Sequence, residues 1–189
     1  MMHVHCKQWI KQACICGVLL ALPIAAGAQE EEPELQIRHP LRALPEALRG
    51  DATVIGYRNG ERTILLTSVG NIICWADDPD RVDNRGAYFV NCFPKSVQAF
   101  EERRAELAAA PGWVEVLEKE VRSGRIELPA VAMRYTLRGA SAEGALPLGV
   151  LMVPFANAYE MGLSTESDPF RPWLMMAGTV MAHVMLPGH

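Results

Sequence analysis

The spacing of apolar residues changes period twice along this chain, and the order of those periods restricts the fold more than any other feature of the sequence. Residues 53–57 and 62–68 are β-type runs on either side of Asn59-Gly60, a pair suited to the positive φ angles of a two-residue hairpin. Residues 71–75 and 88–92 read as a third and a fourth strand. A helix is expected over 93–109, with Val97, Phe100 and Leu107 on its apolar face and Glu101, Glu102, Arg103 and Arg104 solvated; Pro111-Gly112 ends it. A second helix carries Trp113, Val116, Leu117 and Val121 at helical spacing and stops at Gly124. β patterning returns at 131–137, 146–155, 173–176 and 179–186. Strands, then helices, then strands is an α+β order. It predicts an antiparallel sheet with about two helices packed on one face rather than a doubly wound parallel sheet.

The N-terminus follows a different logic. Lys7 and Lys11 precede an uncharged run, 13–28, that is too short to span a bilayer comfortably and contains Pro23. The run closes on Ala26-Gly27-Ala28 and is followed by Gln29, Glu30, Glu31 and Glu32, the pattern of a signal peptide cleaved after Ala28. A retained anchor fits Pro23 poorly, and a lipid-attachment site fits poorly because Lys11 stands three residues before Cys14. The expectation is a signal peptide over 1–28, an exposed, acidic, proline-containing lead-in over 29–50, and a single α+β domain over 51–189, in a periplasmic or secreted protein.

Cleavage leaves 161 of 189 residues, a length suited to one domain with a sizeable core. The removed segment holds two lysines and no acids, so the formal charge moves from −4 to −6. That balance argues against nucleic acid or an anionic membrane surface as partner and leaves a small ligand or a protein. Cys6, Cys14 and Cys16 depart with the signal. Cys74 and Cys92 remain, and in an oxidising compartment they are expected to form one disulfide.

The segment Ser68-Val69-Gly70-Asn71-Ile72-Ile73-Cys74, followed by Asn91-Cys92 and by a closing stretch from Trp173 to Pro187, resembles a group of uncharacterised exported bacterial proteins. The resemblance implies export and brings no activity with it. The glycine-rich nucleotide loops, the zinc-protease and serine-hydrolase signatures and the haem-attachment motif are absent from the sequence.

Three constellations are candidates for chemistry. Met181, His183 and Met185 alternate in the last expected strand, which puts two thioethers and an imidazole on one face, with Met175 or Met176 across the hairpin; such donors suit copper(I) or an axial position on haem. Methionine is also an ordinary core filler. His183 is the candidate general base of a hydrolase-type site, with Glu160, Ser164, Thr165 or Asp168 as partners, because His39 and His189 fall in segments expected to be mobile. The loop holding Asp77, Asp78, Asp80, Asp83 and Asn84 offers oxygen donors for calcium, yet Val82 breaks the spacing and turn chemistry accounts for it better. The default reading is a non-catalytic binding or structural module.

Overall fold

A computed structural model describes residues 31–81 and 87–187. The expected signal peptide, Asp83, Asn84 and His189 lie outside the described residues. The strands are β1 (Ala52–Arg58), β2 (Glu61–Leu66), β3 (Ile72–Trp75), β4 (Tyr88–Pro94), β5 (Ala132–Gly139), β6 (Leu146–Met152), β7 (Trp173–Met175) and β8 (His183–Leu186). They form one sheet in the order β2-β1-β3-β4-β5-β6-β8-β7. Asn59 and Gly60 turn β1 into β2 with φ of 55° and 80°, the left-handed conformations that Asn-Gly accepts most readily. The pairings are antiparallel except β1 with β3, which run parallel.

The α+β class therefore holds, but the helices cover both faces of the sheet. On one face Val54, Cys74, Val90, Cys92 and Leu137 pack with Ala43 and Leu44. Here lies α1 (Pro33–Leu41), followed by a 3-10 turn at Glu46–Asp51. Much of the expected exposed lead-in is thus helical, with Gln36 and His39 buried. Pro40 falls in the last turn of α1, where it supplies no N–H to the helix. What period-based reading lacked was an apolar stripe, since α1 is held by polar groups. Gln36 accepts from Tyr57 N–H at 2.6 Å and donates to Tyr57 C=O at 3.1 Å, satisfying the β1 backbone beyond its pairing with β3. Gly56 leaves room for this: a Cβ there would strike the Gln36 carboxamide and Leu65.

The opposite face carries Ile73, Trp75, Phe93, Ala132 and Met152, which pack with Phe100, Leu117 and Val180. Its helices are α2 (Gln98–Leu107), entered through a 3-10 turn at Lys95–Val97, and α3 (Trp113–Arg122). Arg103 clasps the two helices, its Nε and Nη2 donating to Glu120 at 2.8 and 3.0 Å. In α3 the inward residues are Val114, Leu117 and Val121, while Val116 turns outward at 40 % exposure. A short α4 (Ala158–Met161), capped by Asn157, leads to the C-terminal hairpin.

Cys74 and Cys92 are bonded, as expected. They are direct cross-strand partners of β3 and β4, buried under α1 with Cys92 Sγ 3.6 Å from the Pro40 carbonyl oxygen. Among the described residues, no helix is long and apolar enough to cross a membrane.

Candidate ligand-binding site

Polar groups concentrate on the face covered by α2 and α3. In β4, Asn91 points to the opposite side from Cys92, and in β5, Arg134 and Thr136 share its face, because side chains alternate along a strand. Glu101, on the first turn of α2, descends onto these residues and is fully buried; Arg104, one turn on, is 7 % exposed and Arg134 also 7 %. The expectation that Glu101 and Arg104 are solvated is therefore corrected. Val97, Phe100, Glu101 and Arg104 occupy one helical stripe, and the sheet beneath supplies polar partners for its second half.

The network is closely bonded. Asn91 Nδ2 donates to Glu101 Oε2 at 3.1 Å, Arg104 Nε donates to the same oxygen at 2.9 Å, and Arg134 Nε donates to Asn91 Oδ1 at 3.1 Å. Arg134 Nη1 lies 3.5 Å from Glu101 Oε1. Among the described residues Glu101 is the sole carboxylate paired with either guanidinium, and it serves both. Burial pushes the Arg134 pKa down, opposed by Glu101 and aided by Arg104. Two buried cations sharing one anion raise desolvation cost without full compensation, an arrangement that packing alone does not call for.

Beside the network opens a cleft of about 510 Å³ between the β1–β2 hairpin, the end of β3, the start of β4 and α2. Asn91 and Arg104 reach it from the network; Trp75 and Phe89 supply aromatic wall. The Arg62 guanidinium lies 4.2 Å over the Trp75 ring and donates from Nε to the Tyr57 hydroxyl at 3.4 Å. Burial pushes the Tyr57 phenol up to about 12, so it stays protonated. Trp75 is 8 % exposed, and its indole N–H is buried with no hydrogen-bond partner among the described residues. Buried indole N–H groups ordinarily find a partner, and this one is an exception. Asp78, Asp80, Glu102 and Glu106 line the same cleft.

The other expected sites separate. Asp77 accepts from Phe89 N–H at 2.9 Å and pairs with Arg81 at 3.3 Å, and burial pushes its carboxyl upward. Asp78 accepts from Asp80 N–H at 3.0 Å, which is turn chemistry. No group of three or more His, Cys, Asp or Glu side chains among the described residues is placed to hold a metal ion. His39 is buried in α1, its Nδ1 2.7 Å from Glu31 Oε1, rather than in a mobile segment. His183 is half-buried in β8; its Nδ1 lies 2.7 Å from the Met181 carbonyl oxygen, and burial pushes its pKa down. Two of its expected partners are engaged in local turns, Ser164 Oγ accepting from Glu166 N–H and Asp168 from Phe170 and Arg171 N–H; Glu160 bonds Asn157 through its backbone N–H, and among the described residues His183 makes no hydrogen bond to Glu160, Ser164, Thr165 or Asp168. Met181 precedes the strand, so the alternating Met181, His183, Met185 set is broken at its first member.

The chain matches no family model, no curated protein and no solved structure.

Proposed function

We propose that this is an exported, non-catalytic binding protein whose cleft takes a small zwitterion of the amino-acid class. The observation that carries the reading is the lining of the cleft, where Trp75, whose buried N–H is unpartnered among the described residues, stands with Arg62, Arg104 and four carboxylates. A ligand carboxylate meets donors on Trp75, Arg62 and Arg104; a ligand ammonium meets Asp78, Asp80, Glu102 and Glu106. A simple anion is disfavoured by those four carboxylates and a simple cation by the guanidiniums. The volume fits a small-molecule site, and the aromatic wall offers contact for an apolar side chain. Export is supported by the disulfide, a bond that persists in oxidising compartments.

The test is calorimetric titration with L-leucine, 4-methylpentanoate and 3-methylbutylamine, which separate the zwitterion from its acid and its amine. Leucine is expected to bind more tightly than either, and Trp75→Phe to weaken it about 10- to 100-fold, the worth of a hydrogen bond to a charged group. The reading fails if the three compounds bind alike or not at all, or if Trp75→Phe leaves leucine affinity unchanged.

A further inference from the structure

Although Met181 drops out of the alternating set, the sheet brings other thioethers to His183. Met152 of β6 and Met175 of β7 are its direct cross-strand partners, one on each side. Opposed residues of antiparallel strands project from the same face with Cβ atoms about 5 Å apart, so Met152, His183 and Met175 form one row across three strands. Met185, two residues along β8, leaves the same face next to that row.

From this arrangement we propose that Met152, His183 and Met175, with Met185 beside them, form a binding site for a soft monovalent cation, Cu(I) being the natural occupant. The imidazole is set for ligation. Its Nδ1 is engaged with the Met181 carbonyl, the outer-shell arrangement that fixes a metal-binding histidine, and Nε2 has no hydrogen-bond partner among the described residues. The thioethers extend flexibly from positions flanking the ring and match a soft cation. Packing alone explains Met152, which is 4 % exposed; it does not explain Met175, which stands 41 % exposed on the edge strand beside the histidine. Cys74 and Cys92 are tied together and buried, so their sulfurs do not compete. The site is separate from the proposed ligand cleft, whose lining includes none of these residues.

The experiment is anaerobic Cu(I) titration of the unreduced full chain against bicinchoninate, after alkylation to cap any thiol of Cys6, Cys14 and Cys16, with X-ray absorption of the loaded protein. One equivalent is expected to bind, with one nitrogen and two or three sulfur neighbours. Met175→Leu, an exposed change that leaves the fold intact by circular dichroism, is expected to lower affinity at least tenfold; Met181→Leu is expected to leave it unchanged. Failure to draw Cu(I) from bicinchoninate overturns the proposal. So does a coordination sphere without sulfur, or a loss confined to Met181→Leu.

Discussion

The two faces of the sheet solve the burial problem in opposite ways. Beneath α1 the sheet presents Val54, Val90, Leu137 and a sealed disulfide, and the helix is attached through the neutral carboxamide of Gln36. Beneath α2 it presents Asn91, Arg134 and Thr136 to a buried carboxylate and a second arginine. The first face spends little on desolvation. The second carries charges whose replacement by apolar groups often costs nothing or stabilises a protein.

The largest expected effect comes from breaking that network by one member. Glu101→Ala leaves the Arg104 and Arg134 guanidiniums without their shared carboxylate and is expected to cost about 3–5 kcal/mol in urea denaturation. The combined Glu101→Leu, Arg104→Met and Arg134→Met chain is expected to recover most of that loss while losing leucine binding. Recovery of stability together with intact binding would remove the functional reading of this face.

The apolar face is broken by opening its disulfide. Replacing Cys74 and Cys92 with alanine releases a cross-link over 18 positions and is expected to lower stability by about 3 kcal/mol, read from the denaturation midpoint. The bond itself was legible, because two cysteines remained after the signal-like segment and the flanking apolar runs read as strands. So were the Asn59-Gly60 hairpin and the two long helices, each marked by a local signal. The second-face network was not, because Glu101 and Arg104 look like ordinary helix-surface residues until β4 and β5 place Asn91 and Arg134 under them. The partial signal was their spacing: both lie on the stripe that begins with Val97 and Phe100. The methionine row was hidden for the same reason, since Met152 and Met175 reach His183 only through strand register.

A smaller effect separates α1 from a passive lead-in. Gln36→Ala deprives both backbone groups of Tyr57 of a partner at a buried position and is expected to cost about 1–3 kcal/mol. Gly56→Ala, whose added Cβ meets the Gln36 carboxamide, is expected to be less damaging in the Gln36→Ala background, a coupling that a double-mutant cycle measures. Additive effects would mean that α1 does not depend on this contact.

The smallest effect tests whether the polar face and the C-terminal strand share one electrostatic field. His183 titrates below its ordinary 6.5 chiefly through burial; the Met181 hydrogen bond opposes the shift, Arg134 adds to it and Glu101 opposes it. Because the folded state holds this proton less tightly than the unfolded chain, the histidine costs no stability well above pH 6.5. As pH falls through 6.5 toward the lower folded pKa, the unfolded chain takes up the proton first and stability declines, by at most about 1.4 kcal/mol per pH unit for one proton. The stability difference between the native chain and His183→Gln should therefore shift against the native chain between pH 7.5 and 5.5. Imidazole proton shifts read the coupling more directly: Glu101→Ala should move the His183 titration further down, and Arg134→Met should move it up. If neither substitution moves it, the buried network ends at Arg134, and the histidine on β8 answers only to its own burial.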